Sequence, residues 1–255
     1  MPLWSSDPQS NMPRFFTPSD GIADDVITIK GDDAHHIARS LRMAEGDEIT
    51  VCDMHGFEHT CRLTRIRDEE CECQILSSKK GETEPPVHIT LYMAYPKGDK
   101  LETVVQKAVE LGAAKIVPFE SSRCIKRPKA DKADKTTARL QRIAEEAAKQ
   151  CGRSILPEVT PSIDFKTAIK NASAADLPLF CYEGDGTRPI KAVLADSPTP
   201  ATVSVMVGCE GGFSLDEATA AINAGLIPTG LGKRILRCET APSYALACLS
   251  YHFEL

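Results

Sequence analysis

Two glycine-bearing segments near the C-terminal end constrain this 255-residue chain more than any other feature. GCEGGFS, Gly208 to Ser214, follows the apolar run Val203 to Val207, and LGKRILRCETAP, Leu231 to Pro242, follows Leu226 to Leu231. Each is followed by a stretch with helical character. A chain that twice leaves a strand through glycine and enters a helix builds one pocket at the strand ends of an α/β sheet. The segment from Val87 onward supports that class. Val87 to Ala94, Lys115 to Phe119 and Leu177 to Tyr182 read as strands. Leu101, Val104, Val105, Ala108 and Val109, then Leu140, Ile143, Ala144, Ala147 and Ala148, form stripes at helical spacing, ended by Gly112 and Gly152. Alternation of this kind predicts a mostly parallel sheet with helices on both faces.

The loops also bear on the guest. Strand-to-helix glycine loops commonly cradle phosphate, because free N–H groups and the helix dipole attract anions. Here Ser214 and Glu217 have the spacing of a capping box, which uses those donors, and Glu210, Asp216 and Glu217 make the neighbourhood acidic. No G-x-G-x-x-G is present, and Gly232-Lys233 lacks the rest of a phosphate-binding loop. A neutral or cationic adenosine compound is the expected guest, and the common cationic one is the sulfonium S-adenosylmethionine. Backbone must then approach it closely at Gly211, where a valine is expected to fill the ligand's space.

The first 80 residues have a different texture. Val26 to Ile29, Glu48 to Cys52, Glu58 to Ile66 and Glu72 to Leu76 read as strands, with a turn at Asp53 to Gly56. One short helix, Ala34 to Met43, interrupts them, with Asp32 or Asp33 as its N-cap. This predicts a small β-barrel-like domain over 1–80, in which 1–11 is an extension. Ser77 to Pro86 is polar and rich in breakers, so a linker is expected there, most clearly over 81–86, before a second domain at 87–255.

No apolar run reaches the length of a membrane span, and the N-terminal residues carry no export signal, so a cytoplasmic protein is expected. Ten scattered cysteines suit a reducing compartment. The net charge of −6 opposes nucleic-acid binding in sum. Its distribution does not: Arg123, Lys126, Arg127, Lys129, Lys132, Lys135, Arg139 and Arg142 cluster in one segment against Asp131 and Asp134, and Arg14, Arg39, Arg42, Arg62, Arg65 and Arg67 in another. Cys52, His55, His59 and Cys61 are metal-ligand types, but they flank a hairpin turn whose side chains alternate between faces, so no metal is expected. Cys71 and Cys73 share one strand face and read as buried thiols. Hydrolase signatures are absent.

The glycine loops, together with MPRFF (Met12 to Phe16), HHIARSLRMAEGDEITVCDMHG (His35 to Gly56), QKAVELGAAKIVPFESSRC (Gln106 to Cys124) and EEAAKQCGRSILPEV (Glu145 to Val159), resemble the RsmE family of SPOUT methyltransferases over nearly the whole chain from Met12. Two departures stand out: Cys209, where the family usually carries proline and the first loop is expected to loosen, and Pro242-Ser243-Tyr244, where small apolar residues are usual. The resemblance implies methylation of N3 of a uridine in 16S ribosomal RNA of the small ribosomal subunit, with S-adenosylmethionine as donor. It also implies a PUA-like RNA-binding N-terminal domain, a C-terminal trefoil knot and a homodimer. Gly208, Glu210, Gly211, Gly212 and Phe213, with Leu231, Gly232, Arg234, Ile235, Leu236 and Arg237, would enclose the cofactor. Glu210 and Glu239 are candidates for orientation or proton acceptance. Arg14 is the candidate that reaches a partner's pocket or the RNA, beside Arg39, Arg42, Arg123, Lys126, Arg127, Lys129 and Arg139 as RNA contacts. Two rival readings keep parts of this: a methyltransferase acting on transfer RNA or a ribose hydroxyl, and a non-catalytic ribosome-assembly factor.

Overall fold

A computed structural model describes residues 12–18, 21–125 and 133–255. Two compact units divide the chain: residues through Glu84 with Ala148–Leu156, and Pro85–Ala147 with Pro157–Leu255.

The first unit is a six-stranded sheet in the order β1-β4-β5-β6-β3-β2. Its strands are β1 (Arg14–Phe16), β2 (Ile22–Ala23), β3 (Val26–Lys30), β4 (Glu48–Cys52), β5 (Phe57–Ile66) and β6 (Glu70–Lys80). All pairs are antiparallel except β1 with β4. Alternation along the strands puts Phe15, Ile27, Ile29, Ile49, Val51, Leu63, Cys71 and Cys73 into one apolar core, so the two spaced thiols are indeed buried. Helix α1 (Asp32–His35) continues as a π-helical turn, His36–Ser40, and seals this core with Ala34 and Ile37. Its N-cap is Gly31, at φ +67, rather than Asp32 or Asp33; both aspartates lie in the first turn, where their charge suits the helix dipole.

The polar run after Leu76 is not all linker. Ser77 to Lys80 extend β6 and pair with Thr60 to Phe57, which satisfies their backbone groups while their side chains stay in solvent. Residues 148–156, which the sequence places in the second domain, pack instead with the first. Glu84 explains this: its carboxylate accepts from the Arg153 guanidinium and from the backbone N–H groups of Ser154 and Ile155.

The second unit holds eight strands: β7 (His88–Ala94), β8 (Lys115–Glu120), β9 (Glu158–Val159), β10 (Ile163–Asp164), β11 (Leu177–Cys181), β12 (Arg188–Pro189), β13 (Thr202–Val207) and β14 (Ile227–Gly230). The order is β10-β8-β7-β13-β11-β14-β12, with β9 also on β8, and every pair is parallel. Its helices are α2 (Lys100–Glu110), α3 (Ala133–Cys151), α4 (Phe165–Ala172), α5 (Ile190–Ala195), α6 (Leu215–Asn223) and α7 (Thr240–Phe253). The stripe foreseen on α2 is its buried face, and Gly112 stops it at φ +87. On α3, Leu140, Ala144, Ala147 and Ala148 are buried and Ile143 is half-buried. Helix α7 packs on β13 beside α2 and α5, while α4 packs against β7, β8 and β13. Among the described residues, no helix is long and apolar enough to cross a membrane.

Candidate functional site

Parallel strands end on the same side of a sheet, so the loops that follow β13, β11 and β14 converge. They enclose a cavity of about 810 Å³ in the second unit. Residues 208 and 210–213 of the first loop and 231, 232 and 234–237 of the second all line it. A third side comes from the end of β11, where Cys181, Tyr182, Glu183, Gly184 and Thr187 contribute. Lys100, at the start of α2, and Arg123, after β8, complete the wall.

The first loop is a tight turn closed by the Gly212 N–H donating to the Cys209 carbonyl at 2.9 Å. Gly212 sits at φ +61, a conformation that an L side chain strains. Gly208 is glycine because a Cβ there would lie 3.0 Å from the Gly212 Cα and 3.1 Å from the Phe213 ring. At Gly211, which also lines the cavity, a Cβ would lie 3.1 Å from the Arg123 Cβ, so a larger residue presses on the segment after β8 as well. Cys209 is buried, with its sulfur 4.0 Å from Ser121 Oγ. Phe213 anchors the loop from below, 4.6 Å from Phe180 and 6.3 Å from Phe119 between ring centres.

Ser214 caps α6 as its spacing foretells. Its hydroxyl accepts from the Glu217 N–H at 3.2 Å, and the Glu217 carboxylate accepts from the Ser214 N–H at 2.9 Å. The other Glu217 oxygen accepts from the Ser122 N–H at 2.6 Å. Burial alone would raise the pKa of this carboxyl, but the N–H donors of Ser122 and Ser214 outweigh it and hold the value below the ordinary one.

The neighbourhood of the loops is less acidic than the sequence suggests. Glu217 is turned into the protein, and Lys100, Arg123, Lys233, Arg234 and Arg237 line the cavity against Glu183 and Glu210. The wall is therefore not acidic, and what counts against a phosphate guest is the occupied α6 N-terminus. Glu210 and Glu239 converge on one cation that sequence reasoning missed. Lys100 Nζ lies 2.9 Å from Glu210 and 3.3 Å from Glu239. Burial would raise Glu210, yet Lys100 and the Lys97 N–H keep its pKa lowered; Glu239 is lowered by its own N–H, the Cys238 thiol and Lys100. Carboxylates held this way are poor proton acceptors and good orienting groups. The available signal was Lys100 itself, a cation in a helix's first turn, where the dipole disfavours it.

The remaining sequence candidates fall elsewhere. Arg14 does not line the cavity. Its guanidinium lies within the first unit, donating to Glu58 and Cys52 at 2.9 Å and to the Arg153 carbonyl at 3.3 Å; β1 pairs Arg14 with Thr50, in the middle of β4. Arg39 is exposed and paired with Asp68, and Arg139 with Glu102; Arg42 is exposed at φ +52. Arg123 Nη1 donates to the Gly211 carbonyl at 2.7 Å, which makes it part of the first loop's support. Lys126, Arg127 and Lys129 lie outside the described residues. The metal-type side chains near the hairpin have other partners: Cys52 faces Arg14, and His59 Nδ1 is 2.8 Å from Ser78 Oγ.

Known proteins share this arrangement. Residues 83–250 match the RNA methyltransferase domain, and residues 29–76 match the RNA methyltransferase PUA domain. The ribosomal RNA small subunit methyltransferase E of Bacillus subtilis is 34% identical over 90% of this chain and 91% of its own length. Its namesake from Synechocystis is 32% identical over 94% of this chain and 78% of its own. A crystal structure of ribosomal RNA small subunit methyltransferase E from Neisseria gonorrhoeae bound to S-adenosyl methionine superposes with a TM-score of 0.82, at 34% identity, over 94% of this chain and 97% of that one. A parallel sheet whose loops meet in a glycine-walled cavity, preceded by the PUA unit, thus has its sequence and structural counterparts in one place: the chain belongs to the ribosomal RNA small subunit methyltransferase E family of RNA methyltransferases.

Proposed function

We propose that the protein methylates N3 of a uridine in 16S ribosomal RNA of the small subunit, with S-adenosylmethionine bound in the cavity at the ends of β13, β11 and β14. The observation that carries this is the cavity itself. Its volume, about 810 Å³, lies in the range of small-molecule sites, and its wall joins bare glycine backbone to apolar Ile235 and Leu236. Residues 208, 210–213, 231, 232 and 234–237 would hold the cofactor, which the relative from Neisseria gonorrhoeae also binds.

When bound, S-adenosylmethionine supplies an electrophilic sulfonium methyl. The chain's own residues then have two tasks. Positioning comes first: Phe213 pins the base of the first loop and Lys100 holds Glu210 and Glu239, so the wall is set before substrate arrives. Electrostatics come second. Transfer of the N3 proton to a water molecule puts negative charge on the uracil carbonyl oxygens, and Arg123, Arg234 and Arg237 are cations of the wall able to stabilise it. The same cations, with Lys233, suit the phosphates flanking a target nucleotide. Arg14 we assign to the integrity of the first unit rather than to chemistry. That unit is the proposed RNA-binding domain, through Arg39 and Arg42, with Arg123, Arg139 and the Lys126, Arg127 and Lys129 segment contributing from the second. The wider reading includes the family's trefoil knot, a homodimer and a cytoplasmic site of action.

The deciding experiment incubates the purified protein with S-adenosylmethionine and small subunits lacking the modification, then maps methylated nucleosides by mass spectrometry. N3-methyluridine is the expected product. Ribose methylation, transfer RNA as the sole acceptor, or no product despite cofactor binding would each replace this reading.

A further inference from the structure

We propose that Lys100 is a positioning residue for methyl transfer: one ammonium group ties the first cofactor loop to the second and thereby sets the width of the cavity. This rests on the proposed function of the cavity. The topology shows why a tie is needed. The first loop follows β13 and the second follows β14, and β11 lies between those strands, so no ladder hydrogen bond joins their ends. Lys100 enters from the far side, after β7, which pairs with β13 from His88↔Thr202 to Met93↔Val207. From there its ammonium contacts Glu210 of the first loop at 2.9 Å and Glu239 of the second at 3.3 Å.

The surrounding contacts fix this geometry. Glu210 also accepts the Lys97 N–H, at 3.1 Å and 3.3 Å to its two oxygens, so its carboxylate lies beside the N-terminus of α2, where an anion is favoured. Glu239 occupies the N-cap position of α7, yet its side chain makes no cap bond there; it accepts from the Cys238 thiol at 3.2 Å and meets Lys100. The Cys238 sulfur itself lies 3.8 Å from Lys100 Nζ. Burial first, then the neighbouring carboxylates, push the Cys238 thiol up to about 12, so it stays neutral and leaves Lys100 as the cation between two anions. Without that cation, Glu210 and Glu239 repel, and the loops they belong to separate.

The test measures S-adenosylmethionine affinity by calorimetry, and KM and kcat on small subunits, for Lys100→Met, Lys100→Arg and Glu239→Gln. Two partly exposed ion pairs together support on the order of a tenfold loss of cofactor affinity in Lys100→Met, with a matching rise in KM and a smaller change in kcat at saturation. Lys100→Arg should recover most of the affinity. The loss should also shrink as pH falls below about 5 through the ordinary carboxylate range, because protonation of either carboxylate removes the repulsion; a role confined to folding would show no such dependence. If Lys100→Met lowers the melting temperature too far to measure binding, Glu239→Gln decides, since it removes one arm of the tie and keeps side-chain shape. Wild-type affinity in a folded Lys100→Met or in Glu239→Gln, or a pH-independent loss, would overturn the tie. Failure of the unaltered protein to bind S-adenosylmethionine would instead overturn the proposed function.

Discussion

Glu217 does two jobs with one buried carboxylate: it closes the capping box of α6 and it receives the Ser122 N–H from the segment after β8. Removing it leaves two inward-facing N–H donors without an anion. Glu217→Ala should therefore cost about 2–3 kcal/mol, the worth of hydrogen bonds to a charged group, read by chemical denaturation. Because the folded pKa is lowered, this stabilisation is complete above the ordinary carboxylate value and is lost as pH falls through the folded one. The difference between wild type and Glu217→Ala should accordingly narrow in strong acid and stay constant through neutrality. Arg14 allows a similar argument. Its side chain is 16% exposed and that of Glu58 is 9%, so Arg14→Met takes the nearest cation from a nearly buried carboxylate and leaves it the Ser154 hydroxyl at 2.7 Å and Lys79 at 4.0 Å. A loss of about 3 kcal/mol is expected, with cofactor affinity of the folded fraction unchanged. A folded Arg14→Met with intact stability and no turnover would return Arg14 to the reaction.

At the scale of elements, the informative comparison is between neighbouring glycines of one loop. A Cβ at Gly208 has three contacts of 3.2 Å or less, two of them to backbone, whereas a Cβ at Gly211 has one that close, to the Arg123 Cβ at 3.1 Å. Gly208→Ala should cost about 1–3 kcal/mol by overpacking and weaken S-adenosylmethionine binding; Gly211→Ala should be the milder change on both counts. Thermal melts with and without cofactor report the order directly, and a reversed order would mean the loop is held differently. The same contrast explains what the sequence reveals. Glycine loops and the Ser214–Glu217 box are local signals, each written in one short stretch of chain, and so are the stripes of α2 and α3. The Lys100 tie joins residues more than a hundred positions apart, and nothing near Lys100 marks its partners. Ser77 to Lys80 look like linker because their side chains are polar, although their backbone belongs to β6. Which atoms a Gly211 side chain would meet likewise depends on Arg123, placed by a different strand.

For the whole molecule the question is how a chain of net charge −6 engages RNA. Uniform charge would repel it, so binding must come from places where cations outnumber acids. The cavity wall is one, with Lys100, Arg123, Lys233, Arg234 and Arg237. The other proposed places are the segment containing Arg127, Lys129 and Arg139, and the Arg39 and Arg42 region of the first unit. Each phosphate contact displaces counterions, so log affinity should fall linearly with log salt, by about 0.7–0.9 per contact. Replacing Arg127, Lys129 and Arg139 together should weaken binding to a small-subunit RNA fragment and flatten that slope, by about two to three for three contacts. Arg39 and Arg139 are already paired with Asp68 and Glu102, so their contribution includes the release of those carboxylates and should fall short of a free arginine's. Measured by fluorescence anisotropy over a salt series, the triple variant and an Arg39/Arg42 double variant separate the two regions. A slope unchanged in the triple variant but reduced in the double would leave RNA recognition to the first unit. The reverse would leave it to the segment containing Arg127, Lys129 and Arg139.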